Sequence, residues 1–153
     1  MTIKTSSPDS TFQINTDGTW PNIVIVTDAT GPHDWKWSIA WKTYNQAGTD
    51  TSPGNQWDAQ QAVAGLGGTL NVTAEAGEQS ASITITIKGQ NPTLQQVEQY
   101  LATTNSDAFD KILNHETHMV HFNKAGEPIK SFDNGYGIAQ LTSPPPTYEQ
   151  VWT

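Results

Sequence analysis

The chain has 153 residues, a formal net charge of -8 and no cysteine. That length suits one domain or two small ones, and the missing cysteines exclude disulfide and thiolate chemistry. Residues 1 to 90 carry four Lys and eight acids, and residues 91 to 153 carry three Lys and seven acids; no cationic patch is left to track a phosphate backbone, so no nucleic-acid partner is expected.

The N-terminus, MTIKTSSPDSTF, has no apolar core of the kind a signal peptide needs, and no segment is apolar for long enough to span a bilayer. Membrane insertion is therefore not expected. The apolar share is 35%, low but arranged in patterned segments, which points to folded domains and not to disorder. Few charges among many Thr, Ser, Asn, Gln and Gly residues suit an extracellular or virion surface.

Residues 1 to 90 read as all-β. Asn22-Ile23-Val24-Ile25-Val26 is a short apolar run suited to a buried strand. The run Trp35 to Lys42 alternates strictly, with Trp35, Trp37, Ile39 and Trp41 on one face and Lys36, Ser38, Ala40 and Lys42 on the other. A polar excursion follows from Asn45 to Gly68, with a short helix expected at Trp57 to Leu66 and ended by Gly67-Gly68. Thr69 to Ala74 and Ser80 to Lys88 alternate again around a Gly77-Glu78-Gln79 turn and predict a hairpin. Short strands joined by polar turns suggest a β-sandwich of immunoglobulin type, and GGTLNVTAEAGEQSASITITIKG resembles the closing strands of bacterial Ig-like domains in surface and phage tail proteins. Aromatic faces stack on pyranose rings, and Trp20 and Trp57, outside the expected strands, are the candidates for such contacts; the strand tryptophans are assigned to the core.

Gly89-Gln90-Asn91-Pro92 marks a boundary. Thr93 is an apt N-cap for a helix with Leu94, Val97, Tyr100 and Leu101 at helical spacing. Ser106 or Asp107 can cap a second helix whose apolar stripe is Phe109, Ile112, Leu113, Met119 and Val120. Ser143-Pro144-Pro145-Pro146-Thr147 forbids helix, and Tyr148 to Trp152 can begin another.

Glu116 sits near the end of the second of these helices. About twenty residues on comes Gly135-Tyr136-Gly137-Ile138-Ala139-Gln140, followed by Leu141-Thr142 and the proline loop. This pairing resembles the active-site half of lytic transglycosylases and goose-type lysozymes, in which a helix-borne Glu precedes a Gly-x-x-Gly-Leu-Met-Gln segment. The resemblance covers about residues 108 to 152. It implies that Glu116 is the general acid/base of glycosidic cleavage in peptidoglycan and that Thr117 stands where the family has Ser. Tyr136 and Gly137 would approach the sugar, Ile138 and Ala139 would pack on the catalytic helix, and Gln140 would hydrogen-bond an N-acetyl sugar or steady the groove. Asp133 and Glu127 are candidates for a second carboxylate, which hydrolases commonly use. Lytic transglycosylases manage with one Glu, turning the substrate's own hydroxyl on the anomeric carbon, and the lone helix-borne carboxylate leans toward that route.

The expected fold class is thus α+β: an Ig-like sandwich over residues 1–90, then a lysozyme-like helical segment over 91–153. Such a fold needs further helices to close its groove, so the segment is expected to be truncated or completed by a partner. The expected setting is a phage or contractile injection particle, whose assembly needs no signal peptide, acting on cell-wall glycan without a cofactor or structural metal. Two other readings stay open. One is a structural or adhesive component of a virion or tail-like assembly. The other is a zinc hydrolase built on His115, His118 and His121, although the His-Glu-Thr-His spacing is one residue short of the zinc-protease motif.

Overall fold

The computed structural model describes residues 1–153, apart from the side chain of Asp107. The chain is α+β, mostly sheet with a few short helices. It divides into two compact units: Met1–Phe12 with Trp20–Ile87, and Gln13–Thr19 with Lys88–Thr153. Among the described residues no helix is long and apolar enough to cross a membrane.

The strands, in chain order, are β1 (Ile3–Thr5), β2 (Thr11–Gln13), β3 (Val24–Thr27), β4 (His33–Trp41), β5 (Tyr44–Ser52), β6 (Gln56–Asp58), β7 (Gly68–Ala76) and β8 (Gln79–Lys88). Three of them form a sheet in the order β1-β3-β6, and five form a second in the order β2-β8-β7-β4-β5. The alternation of β4 places His33, Trp35, Ile39 and Trp41 in the core, with Asp34, Lys36, Ser38 and Ala40 exposed. Register then builds apolar rows across three strands: Trp37 pairs with Val72 and Val72 with Ile83, while Ile39 pairs with Leu70 and Leu70 with Ile85. Such cross-strand neighbours on one face are what stabilise a sheet beyond its backbone ladder. Ile23, Ile25 and Trp57 supply buried surface from the three-stranded sheet. Trp57 stacks on Trp35 with ring centroids 6.3 Å apart, joining the two layers.

The longest departure from the sequence reading is β5, which lies in the expected polar excursion. Two of its inward polar residues serve tryptophans of other strands, one in β4 and one in β6. Asp50 accepts a hydrogen bond from Trp57 Nε1 at 2.7 Å, and Ser52 Oγ accepts one from Trp35 Nε1 at 2.8 Å. Tyr44 stacks on Trp41 at 6.4 Å. Gly48 faces Trp37, and a Cβ there would lie 2.5 Å from the indole. The helix expected at Trp57 to Leu66 shrinks to one turn, α1 (Gln60–Val63), and Trp57 itself is in β6. Nor are Trp20 and Trp57 free platforms. Trp57 is buried, and Trp20 is half-buried with its Nε1 donating to the Leu66 carbonyl at 2.9 Å.

In the second unit, Ile14 N–H donates to the Lys88 carbonyl at 2.8 Å and Gln96 Nε2 to Thr16 Oγ1 at 3.2 Å. These bonds tie Gln13–Thr19 to the chain after residue 88. Helix α2 (Leu94–Thr103) opens on a capping box: Thr93 Oγ1 accepts from Gln96 N–H, and Gln96 Oε1 accepts from Thr93 N–H. Val97 and Leu101 are buried. A 3-10 turn, Asp107–Phe109, leads into α3 (Asp110–Thr117).

Ser106, one of the two expected caps, does not cap α3. The Ser106 hydroxyl donates to the Thr104 carbonyl, the helix starts without a side-chain cap, and the side chain of Asp107 lies outside the described residues. His118 and Met119 are both left-handed (φ 52° and 64°), so α3 stops at Thr117. Met119 still joins Val97, Leu101 and Leu113 in the core, but from beyond the helix. The rest of the expected stripe is exposed: Phe109 is 55% and Ile112 54% accessible. Helix α4 (Tyr148–Trp152) begins with a second capping box, Thr147 with Gln150, and buries Tyr148, Val151 and Trp152.

The Gly48 contact gives a paired test. Gly48→Ala forces the Trp37 indole to move, and overpacking of this kind costs about 1–3 kcal/mol. Gly54→Ala meets nothing within 4 Å and should stay within about 0.5 kcal/mol of the parent. Urea unfolding followed by tryptophan fluorescence separates the two.

Candidate functional site

Between α3 and α4 the chain from 118 to 147 contains no helix or strand among the described residues, only the isolated bridges Phe122↔Pro128, Lys130↔Tyr136 and Tyr136↔Leu141. Several of these residues are nonetheless buried, and buried backbone groups must find partners. Backbone supplies some, as where Ile129 N–H donates to the His121 carbonyl and Gly137 N–H to the Ile129 carbonyl, both at 2.9 Å, and side chains supply others. Asn91 Oδ1 accepts from the N–H groups of both His121 and Phe122, at 2.9 and 2.8 Å, and its Nδ2 donates to the Phe122 carbonyl at 2.8 Å. Asn91 thereby replaces a neighbouring strand. Asn123 Oδ1 takes the N–H groups of Ala125 and Glu127 in the same manner.

The Gly135–Gln140 turn is held from two sides. The Thr117 hydroxyl lies 2.9 Å from the Ile138 carbonyl and 3.2 Å from the Leu113 carbonyl, so its one proton joins the end of α3 to the turn or to its own helix. The Ile138 N–H donates to His121 Nδ1 at 3.0 Å. Since Nδ1 accepts, the ring proton sits on Nε2, 2.9 Å from the Val151 carbonyl of α4. Burial lowers the His121 pKa by disfavouring the charged ring, and the Val151 carbonyl opposes this in part. Gly137, at φ 69°, packs on the same ring: a Cβ there would lie 2.5 Å from Cε1.

The sequence-derived candidates are distributed as follows. Glu116 is exposed, on the turn of α3 just before its end, whereas Thr117 beside it is buried. Tyr136 and Gly137 are buried. Lys130 Nζ lies 5.8 Å from the Tyr136 ring centroid, and the open face of Gly137 is taken by His121. Gln140 is half-buried and donates from Nε2 to the Gly137 carbonyl at 3.0 Å, closing the turn on itself. Asp133 and Glu127 are exposed; a hydrogen bond from the Ser131 hydroxyl holds the Asp133 carboxyl below its ordinary range, so it is ionised at neutral pH. The structure thus brings Thr117 and the turn together, and leaves Glu116 outside the buried part.

The histidines do not form a ligand cluster. His115 and His118 are exposed, His118 lies past the end of α3, and both ring nitrogens of His121 are committed to backbone. No group of three or more metal-ligating side chains occurs among the described residues. Within the second unit a groove of about 710 Å³ is lined by Tyr100, Leu113, Phe122, Ile138, Ala139 and Trp152, among others. Glu116 and Gln140 are not part of its lining.

Sequence reading missed Asn91 and the role of His121. Asn91 precedes a proline at a boundary, and a linker position is what composition shows there. His121 drew notice only as one of three spaced histidines. Comparison with protein-family profiles, curated protein sequences and solved structures found no match to this chain.

The Thr117 contact is testable by substitution. Thr117→Val removes the donor and leaves the half-buried Ile138 carbonyl without it, a loss of about 1 kcal/mol or more. Thr117→Ser retains the hydroxyl and loses only a methyl, worth no more than about 0.8 kcal/mol. Urea unfolding of the two variants should rank Ser above Val.

Proposed function

We propose that the second unit is a lytic-transglycosylase-like or goose-type-lysozyme-like module that cleaves the glycan of peptidoglycan, with Glu116 as general acid/base. The observation that carries this is the bond between Thr117 and Ile138. It links the residue next to the glutamate with the centre of the Gly-Tyr-Gly-Ile-Ala-Gln turn, the two halves of the motif that the family resemblance requires together. The first unit, two antiparallel layers around a tryptophan-rich core, fits the reading as a bacterial Ig-like module. A phage or contractile injection particle is the setting in which the pair would reach the cell wall.

In this reaction Glu116 protonates the glycosidic oxygen as the bond to the anomeric carbon breaks. The resulting carboxylate then takes the proton from the substrate's C6 hydroxyl, whose oxygen attacks the anomeric carbon and closes a 1,6-anhydro ring. Proton and bond counts balance without water. A general acid must be protonated when the bond breaks, so an exposed glutamate needs the bound glycan to exclude water from it. The ionised Asp133 is the group that would turn water on the anomeric carbon if the outcome were hydrolysis.

A second reading has one observation in its favour. Glu116 is exposed, and so are the apolar side chains of Leu94 and Tyr100 in α2, at 56% and 68%, and those of Phe109 and Ile112. A structural or adhesive component, with this apolar surface as an assembly face, needs no sheltered carboxylate. Turbidity of purified cell walls distinguishes the two. The enzyme clears them and releases fragments with 1,6-anhydro ends, and Glu116→Gln slows clearing by about 10²–10⁴-fold, the usual worth of a general acid. Walls left intact by the parent protein, or cleared equally by Glu116→Gln, would overturn the catalytic reading.

A further inference from the structure

We infer that His121 is a pH-sensitive positioning residue: as the neutral Nε2–H tautomer it fastens the Gly135–Gln140 turn and α4 to the chain after α3, and protonation at Nδ1 releases the turn. The geometry allows no other protonation pattern without loss. Nδ1 accepts from the Ile138 N–H at 3.0 Å, and Nε2 faces the Val151 carbonyl at 2.9 Å. A second ring proton would set two donors, Nδ1–H and Ile138 N–H, against each other. The neutral ring satisfies both sides and the imidazolium satisfies one.

The ring has no room to turn away. It is 8% accessible, it stands edge-on to Phe122 with centroids 4.5 Å apart, and Phe122 in turn tilts on Trp152 at 5.8 Å. Gly137 lies against Cε1 so closely that no Cβ fits. The backbone of His121 is fixed as well, its N–H bound to Asn91 Oδ1 at 2.9 Å. Relief of the donor clash must therefore come from the turn, the irregular partner, moving off the ring.

The ionisable groups on the elements around His121 do not offset an added charge. On α4 these are Glu149, which is exposed, and Tyr148, whose phenol burial holds neutral far into alkaline pH. Flanking the turn are Asp133, exposed and ionised with its carboxyl held by the Ser131 hydroxyl, Lys130, exposed and placed over the Tyr136 ring, and Tyr136 itself. On the preceding helix end His118 and Glu116 are exposed. The influences on the His121 ring are burial and the Val151 carbonyl, with no carboxylate among them.

The sign follows from linkage. With the turn closed, the ring titrates below the 6.5 of a solvated histidine; with the turn open, it titrates near that value. Well above pH 6.5 both states are neutral, and the closed turn has its full stability. As pH falls below 6.5 the open state binds a proton that the closed state refuses, so closure is progressively lost. A histidine with a facing carboxylate would show the opposite dependence.

The test uses the intact chain and NMR. The His121 ring nitrogens should report the Nε2–H tautomer at pH 7.5 and titrate below 6.5. The protection of the Ile138 amide, corrected for intrinsic exchange, should fall through that titration. The fall should be about tenfold for each pH unit by which the ring titrates below a solvated histidine. The amide of Ile39 in β4 serves as the reference and should hold its protection. An Nδ1–H tautomer at neutral pH, titration at 6.5 or above, or an Ile138 amide that stays protected once the ring is charged would each overturn the inference. No activity is read, so the outcome is separate from that of the cell-wall assay.

Discussion

Both backbone polar groups of Ile138 are claimed by side chains from elsewhere in the second unit, its carbonyl by Thr117 and its N–H by His121. The irregular chain from 118 to 147 depends on contacts of this kind. A helix or a sheet satisfies its own peptide groups, whereas a buried loop must borrow donors and acceptors or lose a kilocalorie or more for each group left unpaired. Asn91 and Asn123 make the same kind of contact at the other end of the segment. The turn rests on these side chains together with backbone bonds of its own, Gly137 N–H to the Ile129 carbonyl at 2.9 Å and the mutual pair of Tyr136 and Leu141.

The first unit solves a related problem in the opposite way. There the backbone is paired by regular ladders, and the groups in need are the indole N–H donors of Trp35 and Trp57. Strand β5 supplies Ser52 and Asp50 to them, and leaves glycine where Trp37 needs space. A large aromatic core buries much apolar area but brings a polar edge with each ring, so a tryptophan-rich strand calls for a polar neighbour. The composition of β5 answers to the indoles of both β4 and β6.

This explains which parts of the fold could be read from sequence. Strands β4, β7 and β8 announce themselves because their inward residues are apolar at every second position, and α2 because Thr93 and Gln96 form a recognisable cap. Strand β5 has a period of two over most of its length, but its less exposed residues are Tyr44, Gly48, Asp50 and Ser52, whose alternation is invisible to a hydrophobicity pattern. Helix α3 runs short for a different reason. His118 and Met119 adopt the left-handed conformation without a glycine to signal it, so Met119 and Val120 look like a continuing stripe. The site is legible only as a pairing of motif halves, Glu116-Thr117 with Gly135 to Gln140. That His121 rather than a saccharide occupies the face of Gly137 is a long-range contact, and no local pattern encodes it.

Thr117 and Glu116 are neighbours on one helix, and successive helical residues point about 100° apart. With Thr117 turned inward to the Ile138 carbonyl, Glu116 is displayed outward by the geometry of α3 and not by chance. The anchor thus sets where the carboxyl starts from, relative to the turn, even though nothing buried touches it. The hold of His121 on the Ile138 N–H is one of the contacts that keep that relation. Positioning of the glutamate and the protonation of a histidine five residues later are joined through the two polar groups of a single peptide residue. On this account a loss of the hydroxyl at 117 and a gain of a proton at 121 act on the same element from opposite sides, so their effects on the turn should not be independent.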